Sequence, residues 1–164
     1  MQDPDGAGAS LIADDEGVTQ LFQREHGAMV RLAVLLVGSR AVAEEVVQDA
    51  FVAVGQRWDS VTNPGGYLRA SVVNGCRTVL RRRDLERERY AELSRQAERL
   101  ELPPALVELA DALDALTERQ RVVIVLRYLL DLADAEIARI LDCRRATVRS
   151  LAKRALDALR EELT

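Results

Sequence analysis

The sequence predicts an all-α protein built from two small helical domains joined by a linker. Leu, Ala, Val, Glu and Arg dominate the composition and aromatic residues make up only 4% of it, which favours helix over sheet. Apolar residues recur every three or four positions in several segments, as on one face of a helix. A charge-rich stretch ending at Pro103-Pro104 separates two groups of such segments, and a chain of 164 residues is long enough for two small domains.

The first group of segments predicts a three-helix bundle over residues 18–83. Residues 1–17 contain little to bury and predict a disordered tail. Gly38-Ser39 separates the first helix from the second, and Asn63 followed by Pro64 is typical of a helix start after the loop 59–66. The three apolar faces are Val18, Leu21, Phe22, Met29, Leu32, Ala33 and Leu36; Val42, Val46, Val47, Ala50, Phe51 and Val54; and Leu68, Val72, Cys76, Val79 and Leu80.

Residues 84–103 predict the linker, and residues 104–164 predict a second domain of four helices. The linker is rich in charge and only weakly amphipathic. In the second domain, Thr117 and Gln120 have the spacing of a capping box that opens a helix. A short helix within residues 131–141, a turn at Asp142-Cys143 and a long final helix then follow.

The formal net charge of −4 conceals a segregated distribution of charge. Residues 67–83 contain five arginines and no acid, whereas residues 101–118 contain five acids and no base. Such segregation produces local electrostatic fields that differ from the field expected of the total charge.

The final helix carries an apolar spine opposite a basic stripe. The spine is Val148, Leu151, Ala155 and Leu159, and the stripe is Arg145, Arg149, Lys153 and Arg160. After a short helix and a turn, this pattern predicts a helix-turn-helix whose second helix enters the major groove of DNA. The alternative is that basic side chains complement the helix dipole. It accounts for Arg160 but not for Arg144 and Arg145, which lie at the positive N-terminal end.

Two other helix faces allow more than one interpretation. Asn74, Arg77, Thr78 and Arg81 share one face of the third helix. With Trp58 and the following loop, they suit single-stranded DNA with unstacked bases. The alternative is that Trp58 belongs to the core and the arginines are solvated, and these residues alone leave both open. Glu45, Gln48 and Asp49 lie on one side of the second helix, where solvent exposure is by itself a sufficient explanation.

The sequence does not predict an enzyme. His26 stands alone, and Cys76 and Cys143 are too far apart to predict a metal site, so we expect no catalytic residue, metal or cofactor. Both cysteines are expected to be small buried residues. No apolar run reaches membrane-spanning length and the N-terminal residues are acidic, so we expect a cytoplasmic protein without membrane insertion.

Three segments, in order, carry a family resemblance: "AEEVVQDAF", "YLRASVVNGCRTVLRRR" and "LTERQRVVIVLRYLLDLADAEIARILDCRRATVRSLAKRALDALRE". Together they resemble the extracytoplasmic-function (ECF) sigma factors of the sigma-70 family, and most of all the actinobacterial SigE-like group. The resemblance implies an alternative sigma factor that binds core RNA polymerase and directs promoter recognition and DNA opening. It implies region 2 at residues 18–83, region 4 at residues 104–164 and an anti-sigma factor as a further partner.

The resemblance also implies three sets of contact residues. Core polymerase would be bound by Glu44, Glu45, Gln48, Asp49 and Phe51. The minus-ten element would be bound by Trp58, Asp59, Ser60, Asn63, Asn74, Arg77, Thr78 and Arg81. The minus-thirty-five element would be bound by Arg144, Arg145, Thr147, Arg149, Ser150, Lys153 and Arg154.

Five positions depart from the family's pattern in or beside the helix-turn-helix. Asp142 replaces the usual turn glycine, Arg144 the capping serine, Ala146 a glycine, Leu151 a basic residue and Ala133 a serine cap. The promoter sequence that this chain prefers therefore does not follow from the resemblance. Two other functions remain as alternatives: a stand-alone helix-turn-helix regulator of duplex DNA, and an interaction module that has lost promoter function.

Overall fold

The computed structural model describes residues 6–86 and 102–162, with side chains described from Glu16 onward. All regular elements in these ranges are helical, which confirms the predicted all-α class. They are α1 Gly6–Val37, α2 Arg40–Gln56, a 3₁₀ turn Trp58–Ser60, α3 Pro64–Glu86, α4 Pro104–Asp114, α5 Glu118–Tyr128, α6 Asp134–Ile140 and α7 Arg145–Glu162. We call α1–α3 the N-terminal unit and α4–α7 the C-terminal unit.

A glycine and a serine set the boundary between α1 and α2. Gly38 has a φ of 69°, a left-handed conformation that glycine adopts without steric cost. Its N–H donates to the carbonyl of Val34 at 2.7 Å. The hydroxyl of Ser39 then accepts a hydrogen bond from the N–H of Val42 at 3.3 Å and caps α2. The predicted break at this point is confirmed.

The start of α3 also follows its local signal. Pro64 is the first helical residue, and the side-chain oxygen of Asn63 accepts a hydrogen bond from the N–H of Gly66 at 3.0 Å. Farther along α3, Gly75 allows α2 to approach closely, because a Cβ at Gly75 would lie 2.7 Å from Cγ1 of Val46. These two features fix where α3 begins and how closely it packs on α2.

The predicted capping box at the start of α5 is confirmed. The Thr117 hydroxyl accepts from the N–H of Gln120 at 3.3 Å, and the Gln120 side chain accepts from the N–H of Thr117 at 2.9 Å. Both side chains therefore satisfy backbone donors that the helix itself leaves without partners.

The turn between α6 and α7 forms although its residues depart from the family's pattern. Asp142 takes a φ of 48°, the left-handed conformation that a glycine would adopt more readily. The N–H of Cys143 donates to the carbonyl of Ala138 at 2.9 Å and closes the turn. Ala133 precedes α6 without a side-chain cap. The helix-turn-helix thus relies on backbone hydrogen bonds and packing rather than on caps.

Helix α1 begins earlier than the sequence predicts. Residues 1–17 are predicted to be a disordered tail, whereas α1 already begins at Gly6. At the end of the predicted tail, Gly17 lies against the indole of Trp58, where a Cβ would come within 2.6 Å of Cζ2. Residues 1–5 lie outside the described residues. At the other boundary, α3 continues to Glu86, and most of the predicted linker, residues 87–101, also lies outside them.

The two units share one hydrophobic core. Buried residues of both units form a continuous cluster, in which α4 and α5 pack on α1, and α5 also contacts α3. Leu102 is buried just before α4, so the beginning of the C-terminal unit packs into the same core. The two predicted domains are therefore in direct contact.

Arg121 of α5 links the units through the ends of two helices. It is only 7% exposed, and its Nη1 donates to the carbonyl of Leu36 at 3.1 Å, near the C-terminus of α1. Its Nε donates to the carbonyl of Leu113 at 3.0 Å, and its Nη2 to the carboxylate of Asp114 at 2.8 Å, both at the end of α4. The last carbonyls of a helix lack internal partners and carry partial negative charge, so one guanidinium satisfies both ends.

Candidate nucleic-acid and polymerase interfaces

Helix α7 presents an exposed basic face on a buried apolar spine. Val148, Ala152 and Ala155 are buried against the rest of the C-terminal unit. Of the predicted minus-thirty-five residues, the exposed ones are Arg144, Arg145, Arg149, Lys153 and Arg154, and the half-buried ones are Thr147 and Ser150. The structure therefore brings this predicted set together along one accessible stretch of α7 and the residue directly before it.

Asp134 connects this helix to the two before it. It is the first residue of α6, where the helix dipole favours a carboxylate, and it accepts a hydrogen bond from Nη2 of Arg127 on α5. Its other oxygen lies 3.6 Å from Nε of Arg149 on α7. The Arg149 side chain is nevertheless 68% exposed, so this loose ion pair orients it without removing it from solvent.

Three of the four polar residues predicted on α3 are exposed, and the fourth is not. Asn74, Thr78 and Arg81 are exposed, and the Thr78 hydroxyl donates to the carbonyl of Asn74 at 3.0 Å. Arg77 instead points to the C-terminal unit, where its Nε forms an ion pair with Glu118, the first residue of α5. The two side chains are only 14% and 21% exposed. In this conformation Arg77 is held away from solvent.

The loop before α3 combines structural and exposed residues. Trp58 is half-buried and packs against the hydrophobic core, with its indole beside Gly17. Asp59 and Ser60 are exposed, as is Asn63, whose side-chain oxygen caps α3. The structure thus brings Asp59, Ser60 and Asn63 to the surface and gives Trp58 a packing role.

A cleft of about 510 Å³ separates this loop from α6 of the C-terminal unit. Its polar walls are formed by Arg57, Asn63, Tyr67, Arg69, Glu136 and Arg139. Nη2 of Arg69 lies 3.5 Å from the carboxylate of Glu136, while its Nε is buried without a hydrogen-bond partner. Basic side chains of the N-terminal unit thus face an acid of the C-terminal unit across the cleft.

Helix α2 carries an exposed acidic patch, which we define as Glu44, Glu45, Gln48 and Asp49. Within it, Glu44 pairs with Arg40 at 3.0 Å. Phe51, predicted with this set, is only 6% exposed, and its ring lies 5.0 Å from that of Phe22. Phe22 is 43% exposed and stacks on His26 at 4.4 Å. Phe51 is therefore a buried residue and does not itself belong to the exposed patch. Phe22 was predicted on the buried face of the first helix, but it is exposed.

The cysteines take no visible part in these surfaces. Cys76 is buried as predicted, and burial raises the pKa of its thiol to about 12, so the thiol stays protonated at neutral pH. Cys143 is half-buried in the turn before α7. Within the described ranges, we find no group of three or more His, Cys, Asp or Glu that could hold a metal ion. Nor does any helix described there have the length and hydropathy needed to cross a membrane.

Sequence reasoning missed the contacts between the units, above all those of Arg121 and Glu118. A partial signal for Arg121 is its position directly before "VVIVL", all five residues of which are buried. An arginine that is buried together with such a run must find hydrogen-bond acceptors inside the protein. Their identity could not be predicted, because Leu36 lies 85 residues away in the chain.

Comparison with known families assigns both units. Residues 21–86 match the Sigma-70 region 2 family, and residues 106–159 match the Sigma-70, region 4 family. An RNA polymerase sigma-E factor of Streptomyces avermitilis is 33% identical over 150 residues, covering 83% of this chain and 79% of that protein. An RNA polymerase sigma-E factor of Streptomyces coelicolor is 32% identical over 141 residues, covering 83% of this chain and 80% of that protein.

Two solved structures have the same fold. One is the sigma factor RpoE in complex with the anti-sigma factor NepR from Bartonella quintana, with a TM-score of 0.71 at 22% identity, covering 88% of this chain and 95% of that chain. Another is CnrH in complex with the cytosolic domain of CnrY, with a TM-score of 0.69 at 27% identity, covering 91% and 88%. The chain belongs to the sigma-70 family of RNA polymerase sigma factors, in its extracytoplasmic-function group, and is an alternative sigma factor for transcription initiation.

Proposed function

We propose that three separate surfaces of this sigma factor divide the work of initiation. The acidic patch of α2 binds core RNA polymerase, α3 with the loop before it binds the opened minus-ten strand, and α7 binds the minus-thirty-five duplex. The observation that carries the proposal is the exposure of acid on α2, of polar side chains on α3 and of basic side chains on α7. Polymerase thus meets an acidic surface, and DNA meets polar and basic ones. This difference in charge favours the correct orientation of the sigma factor on both partners.

Each DNA surface suits the state of the DNA that it binds. A duplex is bound by a rigid helix in the major groove, and the basic face of α7 lies on such a helix, packed on its spine. An opened strand is bound by side chains that hydrogen-bond to extruded bases and by a groove that holds its backbone. The side chains of Asn74, Thr78 and Asn63 and the basic cleft at Arg57 and Arg69 supply those groups. Binding alone performs this task, because no bond of the DNA is made or broken by the sigma factor.

An anti-sigma factor completes the proposed set of partners, and the cytoplasm, where polymerase works, is the proposed location. The structure of CnrH, 27% identical to this chain, is a complex with the cytosolic domain of CnrY. A protein partner that covers the acidic patch or the basic face of α7 would block polymerase or promoter binding directly.

Run-off transcription with core polymerase tests the proposed function. The purified chain is mixed with core polymerase and a genomic promoter library, and transcript starts are mapped by sequencing. We expect starts at defined positions that share upstream elements and depend on both proteins. Tight duplex binding by the chain alone, with no core binding and no starts, would favour a stand-alone regulator. Binding to core without starts would favour an interaction module.

Arg149→Ala is expected to weaken minus-thirty-five recognition and to leave core binding intact. The side chain is exposed and its ion pair with Asp134 is loose, so the fold should not change. Loss of one arginine–base contact corresponds to about 1–3 kcal/mol, or roughly a 5- to 150-fold loss of binding. The measurement is run-off transcription from a mapped promoter beside a core pull-down, with Arg160→Ala at the far end of the helix as control. Equal losses in both assays would contradict the assignment.

Asn74→Ala is expected to impair promoter opening more than duplex binding. Asn74 is exposed on α3 and alanine has the higher helix propensity, so the variant should fold normally. Removing one hydrogen-bonding side chain from the strand-binding surface should reduce the open fraction about tenfold. Permanganate reactivity of minus-ten thymines measures opening, and a gel shift of the holoenzyme measures duplex binding. Wild-type permanganate footprints would contradict the proposed role.

A further inference from the structure

Asp134 contacts the basic face of α7 from the neighbouring helix. It is the first residue of α6, and its two carboxylate oxygens face different arginines. Oδ1 accepts a hydrogen bond from Nη2 of Arg127 on α5, and Oδ2 lies 3.6 Å from Nε of Arg149 on α7. Asp134 thus joins an exposed arginine of the proposed duplex-binding helix to the two helices before it, although it is not among the predicted contact residues.

The position of this carboxylate depends on the fold rather than on Arg149. Arg127 holds it through the other oxygen, and the side chains of Arg127 and Asp134 are only 26% and 25% exposed. Arg149 is 68% exposed, and a long exposed side chain without a partner samples many rotamers. An ordered acid beside a mobile arginine therefore restricts the orientation of the arginine.

The contact uses the part of the guanidinium that end-on base recognition does not need. The acid faces Nε, which leaves the two Nη atoms for a pair of parallel hydrogen bonds. Arginine reads guanine in the major groove through such a pair of bonds to O6 and N7. Bound DNA also displaces water from the contact, which strengthens the attraction between Arg149 and Asp134 in the complex. Asp134 can therefore hold Arg149 in one orientation as it meets a base.

The same carboxylate opposes binding that carries no sequence information. Non-specific binding depends on the attraction of basic side chains to phosphates. The negative charge of Asp134 offsets the charge of Arg149 and repels phosphates that approach it, whereas O6 and N7 of guanine are neutral acceptors. Specificity is the difference between these two affinities, so one acid raises it from both sides.

We infer that Asp134 is a positioning residue for sequence-specific recognition of the minus-thirty-five element and that it acts through Arg149. The inference rests on the proposed function, since α7 must bind duplex DNA for Arg149 to read a base. It adds the source of base discrimination at one position and an opposite effect on DNA without a promoter.

A double-mutant cycle in the holoenzyme tests the inference. The wild-type chain, Asp134→Asn, Arg149→Ala and the combined variant are each assembled with core polymerase. Asparagine keeps the size of the side chain and removes its charge, and Asp134→Glu provides a second variant that keeps the charge. The matched control is Asp157→Asn, which makes the same change at an exposed acid of α7 that lies 3.4 Å from Arg160.

Three affinities are measured for each holoenzyme by competition binding. The duplexes are a mapped promoter, versions of it with single base pairs changed in the minus-thirty-five element, and a duplex without promoter elements. Discrimination is the ratio of the first affinity to the second. Thermal melts by circular dichroism establish that each variant is folded.

We expect Asp134→Asn to reduce discrimination about tenfold, at the same base pair at which Arg149→Ala reduces it. Affinity for the duplex without promoter elements should rise about twofold at low salt, and the gain should shrink at high salt. Asp134→Asn should cause no further loss of discrimination once Arg149 is removed. Asp134→Glu should retain most of the discrimination, and Asp157→Asn should retain all of it.

The two possible failures are distinguishable. Unchanged discrimination in Asp134→Asn, an equal loss in the absence of Arg149, or an equal fall in affinity for all duplexes would overturn the inference alone. Unchanged discrimination in Arg149→Ala would overturn the proposed role of α7, and the inference with it.

Discussion

Arg121→Ala is expected to lower the free energy of unfolding by roughly 3 kcal/mol, because it removes a buried charge that makes three hydrogen bonds. The carbonyls of Leu36 and Leu113 would lose their donor, and Asp114 would lose a cationic partner. The loss affects both units at once, since one carbonyl ends α1 and the other ends α4. Urea denaturation followed by circular dichroism measures the change.

Two further variants make this result specific. Arg144→Ala removes an exposed arginine and should leave the unfolding midpoint unchanged. Arg121→Lys keeps the charge but should recover little of the stability, because one ammonium cannot reproduce the fork of the guanidinium. If Arg121→Ala unfolded at the same urea concentration as Arg144→Ala, the proposed link between the helix ends would be wrong.

Local signals made the individual helices predictable. The capping box of Thr117 and Gln120, the cap at Asn63 and the break at Gly38 each depend on residues at most four positions apart. The amphipathic spine of α7 likewise follows from its spacing, and its basic stripe is exposed as expected. The acidic patch of α2, by contrast, was assigned to polymerase binding only through the family resemblance, because acidic residues on a helix face are usually just solvated.

Contacts between the units were not predictable, because they join residues far apart in the chain. Arg77 and Glu118 are separated by 41 residues, and Arg69 and Glu136 by 67. Taken alone, each of these residues is typical of a solvated helix face. That Glu118 is the partner of Arg77 follows only from the packing of α5 on α1 and α3.

The two proposed binding surfaces of region 2 differ in their accessibility. The acidic patch of α2 is exposed, whereas Arg77 of α3 is paired with Glu118. Core polymerase can therefore meet the chain before the minus-ten strand can.

Glu45→Lys/Asp49→Lys is expected to weaken binding to core polymerase at least about 100-fold, the largest functional effect among these predictions. The two residues are four positions apart on α2, so they lie on one exposed face and both change sign. A basic partner surface that attracts the patch would repel the variant, and like charges across an interface cost several kcal/mol. Affinity for immobilised core is measured by biolayer interferometry at two salt concentrations, and the loss should shrink at the higher one.

The matched control for this variant is Glu161→Lys/Glu162→Lys, which changes the net charge equally at the exposed end of α7. It should bind core like the wild-type chain, since it leaves α2 intact. Equal weakening in both variants would show that net charge alone governs binding, and wild-type affinity in the α2 variant would remove the acidic patch from the interface.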